Sequence, residues 1–464
     1  MRSSTLEFLV CPFCGGRLRS AHAREENGEI VTAVLTCPCG EVPLLGGIPI
    51  FRREGRVDMM MQTVDAPLIR GPRPSRLLDL IRRGEDGRAL LLLLAVPPPW
   101  VRRGLDAVDL LPEGAQGRLR RRLEDAWVRG SRGVEPLLVG RLEAGAGSRT
   151  AADAFDYYFR RARRSELYHH FRHRFAQPRH LTSLALAALL PRDERPVLDV
   201  ACGFGHTLHY WTARHPGRAF VGLDRNFFEL YVARRWIAPA AEYVCADADG
   251  PLPFPPASFG GVFCADAFHY FLRKLLCVSE LSRVVGPEGA ILLARFGNRD
   301  VEPREGYELA PAEYAALFPR MRRALVSDRA VLSRYLLGLA PDLSGPAVPA
   351  DTAGAKWLSL AASGDETLFR DHGPLGKWPH AEGVRRVHSL YREVSRGDSG
   401  ESVYALEMPS PWFAFENGEC RDYMPERFTL GPAARDALAS GADHPEVDEL
   451  VRRAAVVGFP ARHG

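Results

Sequence analysis

Lysine is nearly absent from this sequence: of its 61 basic residues only Lys274, Lys356 and Lys377 are not arginine. Together with frequent alanine, glycine and proline, this points to a GC-rich coding sequence, so arginine clusters carry less weight than usual. Long apolar runs are also missing. "ALLLLLAV" at 89–96 is far below the ~20 residues a membrane-spanning helix needs. The opening "MRSSTLEFLVCPFC" has no apolar core of the secretory kind, so no leader is expected. Nine cysteines, widely scattered, are too few for a disulfide scaffold and fit a reducing cytoplasm. A net charge of +4 does not by itself call for nucleic acid or an acidic membrane.

What is present suggests several domains, because 464 residues exceed what one core organises. Residues 1–55 form a cysteine-bearing module closed by "LLGGIPIF". Residues 56–150 are helix-prone, broken by "PPP" at 97–99 and "EAGAGS" at 143–148. In 151–340, helical spacing of Phe155, Tyr158 and Phe159 gives way to strand–turn–helix alternation. The expected strands are "PVLDVA", "AFVGLD", "AEYVCAD", "GGVFCAD" and "AILLARF". Such alternation predicts parallel strands with crossover helices, an α/β doubly wound sheet. Residues 341–464, rich in Pro, Gly and aromatics, are expected to form a separate substrate-side or cap region.

The first strand runs into a glycine turn, "VLDVACGFGH" at 197–206. In open α/β sheets ligands bind beyond the carboxyl ends of the strands, and Gly203 and Gly205 would let one approach the backbone. A phosphate-gripping loop needs Gly-Lys-Ser/Thr, and no lysine is here. A dinucleotide turn needs a third glycine where Leu208 stands. S-adenosylmethionine carries no phosphate and needs carboxylates for its ribose hydroxyls and ammonium group. Asp199, Asp224, Asp247 and Asp266 lie at four successive strand ends and match that need.

Residues 196–297 resemble the class I S-adenosylmethionine-dependent methyltransferases of the ubiquinone/menaquinone-biosynthesis-like branch. The resemblance rests on "VLDVACGFGH", "ADADGPLPFPPASFGGVFCADAFHYF" and "ELSRVVGPEGAILLARF", in the family's order. It departs at Gly260, where aspartate is usual, and at Glu288 within the Pro-Gly-Gly turn. It implies a Rossmann-like doubly wound methyltransferase sheet, with Asp199, Ala201, Gly203, Gly205, Asp224, Arg225, Asp247, Ala248 and Asp266 around the cofactor. His269, after the fourth strand, is the first candidate for a general base. Tyr158, or its neighbour Tyr157, is expected to cap the site from the preceding helix.

Cys11-Pro-Phe-Cys14 and Cys37-Pro-Cys39 give four thiolates, enough for a closed tetrahedral, structural Zn²⁺ site. The second pair has one spacer residue where two are usual, and His22 is an alternative ligand. "LTCPCGEVPLLGGIPIF" resembles the small zinc-ribbon partners of RNA and protein methyltransferases. The other cysteines read as core filler.

The run "FRRARRSELYHHFRHRFAQPRH" at 159–180 is expected to be a solvated helix face; contact with an anionic substrate is the alternative. These readings together predict a cytoplasmic methyltransferase with a small-molecule acceptor, in bacterial specialised metabolism. The alternatives are an rRNA or tRNA methyltransferase docking RNA through the ribbon, and a non-catalytic scaffold. No membrane partner is expected, and homo-oligomerisation stays open.

Overall fold

The computed structural model describes residues 1–60, 68–131, 150–162, 165–303 and 306–464. Its N-terminal unit is an antiparallel sheet of β1 (Arg19–Glu26), β2 (Glu29–Cys37), β3 (Gly40–Leu45) and β4 (Ile48–Pro49). β1 is almost wholly exposed, whereas β2 and β3 bury Val34, Leu35, Leu44 and Leu45. A short pair, β5 (Asp58–Met60) and β6 (Ile69–Arg70), follows.

The central sheet contains β7 (Val197–Val200), β8 (Phe220–Asp224), β9 (Glu242–Cys245), β10 (Gly261–Ala265), β11 (Ala290–Gly297), β12 (Arg322–Ser327) and β13 (Trp357–Ser363). Its order is β12-β13-β11-β10-β7-β8-β9. β13 runs antiparallel to both neighbours, while β7 to β11 are mutually parallel. All five strands expected from the sequence are present. They are buried on both faces, as parallel strands under crossover helices must be, and so read as continuous apolar runs. The strand order reverses between β7 and β10, and a ligand-binding crevice is expected there.

The sheet does not end at residue 340, where the sequence places a boundary: β13 lies beyond it. A helix, Asp328–Leu336, and a long loop lead into it from β12, and it then pairs antiparallel with both neighbours, which breaks the parallel strand–helix rhythm of the others. After it, β14 (Val384–Val387) pairs with β18 (Val456–Phe459), and β15 (Tyr391–Arg396), β16 (Ser402–Leu406) and β17 (Arg427–Leu430) form a meander. Residues 74–82, 86–94, 99–109 and 113–131 are helical, as expected for the segment after the ribbon. The expected break at 143–148 lies outside the described residues.

The ribbon is docked against the edge of the sheet. Ile50 bridges Cys245 in parallel, and Phe51 N donates to Cys245 O at 2.8 Å. Val10 N donates to Pro253 O at 3.1 Å, Arg2 Nε to Glu242 at 2.7 Å, and the Phe8 ring meets Phe259 edge-on at 5.2 Å. Leu6, Leu9, Leu35, Leu44 and Phe51 share one core with Leu198, Val200 and Val244. The polar edge of β9 is thereby covered, one way a protein avoids edge-to-edge association.

Candidate active site and cysteine cluster

β7 ends at Val200, and the chain turns through Ala201 (φ +56°), Gly203 (+50°) and Gly205 (+75°) into the helix His206–Arg214. A Cβ at Gly205 would lie 3.1 Å from Ala233 Cβ and 3.2 Å from Tyr243 Oη, so both φ and packing demand glycine there. At Gly203 the only near atom is Glu229 Oε2, 3.4 Å from an added Cβ. Glycine keeps that side of the loop open.

Asp224, at the tip of β8, accepts hydrogen bonds from Gly203 N (3.0 Å), Asn226 N (2.9 Å) and Asn226 Nδ2 (3.1 Å). It thus ties the glycine turn to the second strand. Burial raises its pKa, against these donors. Asp199, on the neighbouring strand, is also buried. It makes no hydrogen bond or ion pair among the described residues. Burial, and then the nearby Asp224 carboxylate, push its pKa well above the ordinary carboxylate range. Two buried carboxylates side by side, one without a cation, form a site that favours positive charge. Arg225 and Asp247 are exposed at the strand ends, and Ala248 is buried.

Asp266, at the tip of β10, is placed differently from the other three. Its Oδ2 lies 3.3 Å from both Arg174 Nη1 and Arg174 Nη2 and 3.4 Å from Arg179 Nη1. Burial opposes its ionisation, but Arg179, Arg174 and Arg295 together hold its carboxyl well below the usual range. Arg179 also reaches Glu416 at 2.9 Å, and Arg295 reaches Asp328 at 2.6 Å. Asp266 and Arg295, like Ala201, hold positive φ (+56° and +48°). Strained backbone of this kind gathers at functional sites.

The 159–180 run therefore departs from the solvated face expected of it, because Arg174, Arg179, His170 and His180 are buried. Their counterions sit on remote strands and helices that no local pattern reveals. His170 Nε2 takes a hydrogen bond from Arg174 at 3.1 Å. His170 Nδ1 and His206 Nε2 have no hydrogen-bond partner among the described residues. Glu229, Asn226, Arg295 and Glu416 were not singled out from sequence. For Asn226 a signal existed, since it follows the strand-end aspartate by two residues.

His269 is buried beside Tyr270 and 5.7 Å from the Trp357 ring, and its Nδ1 has no partner among the described residues. Burial lowers its pKa to about 4, so it is neutral at physiological pH. Tyr158 is fully buried, its ring stacked at 3.5 Å on Phe228, in the helix that follows Asp224. A cavity of about 920 Å³ opens at the other end of the sheet, beside Gly260 and Gly364. Ion-paired surface residues such as Arg192 and Asp365 line it, away from the strand tips.

In the ribbon, the sulfurs of Cys11, Cys14, Cys37 and Cys39 all lie within 4.8 Å of one another. Cys11 and Cys37 stand 3.5 Å and 3.4 Å from Cys39. Sulfurs around a tetrahedral zinc at ~2.3 Å are about 3.8 Å apart, so the four residues fit that ion. The short Cys37-Pro-Cys39 spacing is accommodated at the turn from β2 to β3. Gly16 permits the two cysteine turns to meet: a Cβ there would come within 2.8 Å of Pro38 Cδ and 3.2 Å of Cys14 Sγ. Arg53 donates to Cys39 Sγ and lies 4.0 Å over the Phe13 ring. His22 is not part of the cluster.

Residues 198–293 match the family model described as a methyltransferase domain. The fatty-acid O-methyltransferase of Mycolicibacterium smegmatis is 28% identical over 158 residues, 34% of this chain and 54% of that protein. The phthiotriol/phenolphthiotriol dimycocerosates methyltransferase of Mycobacterium leprae is 30% identical over 146 residues, 31% of this chain and 50% of that one. The demethylmenaquinone methyltransferase of Thermus thermophilus is 32% identical over 114 residues, 24% of this chain and 52% of that one. The chain spans about half the length of these curated relatives. Residues 198–293, which carry the glycine turn, β8, β9, β10, most of β7 and the first half of β11, are thus similar to a methyltransferase domain.

Proposed function

We propose that the protein is an S-adenosylmethionine-dependent methyltransferase whose acceptor is a small apolar molecule, in bacterial specialised metabolism, and that its ribbon holds a structural zinc. The observation that carries the reading is the buried Asp199–Asp224 pair facing the glycine turn. Asp199, with no counterion, suits a cationic ligand, and the open side of Gly203 gives that ligand access to the backbone. The names of the relatives, which include a fatty-acid, a dimycocerosate and a menaquinone-pathway enzyme, support an apolar acceptor. The small net charge, and the burial of Arg174 and Arg179 in ion pairs, weigh against an RNA groove.

When bound, S-adenosylmethionine supplies a methyl group activated by its positive sulfur, for in-line transfer. Asp224 keeps lone pairs free beyond those used by Gly203 and Asn226, and these would accept the ribose hydroxyls. Asp199 would take the ammonium group, with Ala201, Gly203 and Gly205 beside the methionine portion. Arg225, Asp247 and Ala248 would hold the adenine. Asp266 acts through Arg174 and Arg179, fixing the wall on the acceptor side. His269, neutral at pH 7, takes the proton of a protonated nucleophile, and Tyr158 closes the cofactor side.

Calorimetric titration with S-adenosylhomocysteine tests the reading. Wild type should bind, and Asp224→Ala should bind about 10- to 100-fold more weakly, the worth of one or two hydrogen bonds to a charged group. No binding by folded wild type would leave a scaffold and sink the enzyme assignment.

A further inference from the structure

The loop after β10 carries an unusual surface. Tyr270 is 52% exposed, Leu272 64%, Leu275 73% and Leu276 36%, all within seven residues at the carboxyl edge of the sheet. Single exposed apolar residues are ordinary, but a contiguous set marks an interaction site. The loop is held in place: Asp249 accepts from Leu272 N (3.1 Å) and Arg273 N (3.0 Å), and Lys274 Nζ donates to Phe271 O at 2.6 Å. Leu272 is thus presented on a pinned turn, and Leu275 and Leu276 on the first turn of the helix Lys274–Val285 that follows it.

Basic charge adjoins this surface. Arg273 lines a cavity of about 430 Å³ together with Arg53, Arg225 and Phe13 at the tip of the ribbon, itself 42% exposed. Arg273 makes no ion pair among the described residues, and the acids lining this cavity are Glu54 and Asp247. No helix among the described residues is long and apolar enough to cross a membrane. A surface that dips leucines and an aromatic ring into the interface while arginines meet headgroups needs no spanning helix.

We propose that Tyr270–Leu276, with Phe13, Arg53 and Arg273, form a docking face for an anionic lipid bilayer. The leucines decide between lipid and nucleic acid. Arginine and phenylalanine would serve a single strand equally, but aliphatic side chains offer bases no stacking surface. The face borders the strand tips, so an apolar acceptor held in the bilayer would enter without crossing water. Docking does not depend on methyl transfer.

Co-sedimentation of the full chain with phosphatidylcholine vesicles, with and without a minority of phosphatidylglycerol, tests this. Wild type should pellet with the anionic vesicles, less so as salt rises. The Leu272→Gln/Leu275→Gln double variant should bind at least about tenfold more weakly. Arg273→Gln should lose about fivefold on anionic vesicles alone. The double variant should bind S-adenosylhomocysteine as wild type does, which separates docking from the cofactor reading and shows that it is folded. Wild type left in the supernatant with both vesicles, or a double variant that pellets equally, overturns the proposal. So does tight binding of single-stranded RNA in place of vesicles.

Discussion

Both terminal nitrogens of Arg174 lie 3.3 Å from one oxygen of Asp266, 92 residues further along the chain. Arg179 shares that oxygen. The carboxylate is therefore the common counterion of a buried arginine pair that joins the helical segment before the sheet to the tip of β10. Removing it leaves buried positive charge uncompensated. Asp266→Asn should lower folding stability by about 3–5 kcal/mol, read by denaturant unfolding. The wild-type contribution is present above the ordinary aspartate pKa and fades as pH falls below it, since the folded-state pKa is depressed. The variant's deficit should shrink at acid pH; a deficit of a few tenths of a kcal/mol at neutral pH refutes the linkage.

Asp199 has the opposite sign. Its folded-state pKa is raised by burial, so between the unfolded and the folded value the ligand-free fold keeps a proton that the unfolded chain has released. Stability from this group is present at low pH and falls as pH rises above the ordinary carboxylate range near ~4. A cationic ligand reverses the preference for the neutral form. Binding of S-adenosylhomocysteine, whose ammonium group remains, should release protons and tighten with pH. Calorimetry in buffers of different ionisation enthalpy should show this for wild type and not for Asp199→Asn.

His269 is neutral above about pH 5, given its pKa of about 4. If the acceptor nucleophile carries a proton, the rate should stay flat in His269 ionisation from pH 6 to 8, and His269→Asn should reduce kcat ~10²- to 10⁴-fold. An unchanged kcat removes it from the chemistry.

The cysteine cluster should bind one zinc per chain, measured by metal analysis of purified protein. Chelation, or Cys39→Ser, should lower the melting temperature and uncover β9, because Ile50 and Phe51 dock from the ribbon. Aggregation that follows zinc loss is then expected from an exposed strand edge. A chelated protein with unchanged melting and solubility contradicts this.

The central strands were legible because burial on both faces writes them as apolar runs between glycine and proline turns. Asp224 and Asp266 were legible because each closes such a run, whereas Asp199 lies one residue inside its strand. Asp266 shows the limit. Its position was readable, but its partners Arg174 and Arg179 lie in a helix-prone run whose charges look solvent-facing until the fold brings them to the strand tip. Glu416, the second partner of Arg179, is 237 residues away, and no local spacing reports such a pairing. β13 escaped for a related reason, since a long loop separates it from the helix Asp328–Leu336 and it pairs antiparallel, outside the alternation that announces its parallel neighbours.

The bridge between Ile50 and Cys245 also has a bearing on how the polypeptide is made. The N-terminal module leaves the ribosome almost two hundred residues ahead of the strand it must cover, a wait of about 10–40 s at ordinary elongation speed. During that interval Leu6, Leu44 and Phe51 have no sheet to lie against. Early capture of a metal ion would then govern the yield of folded protein in the cell.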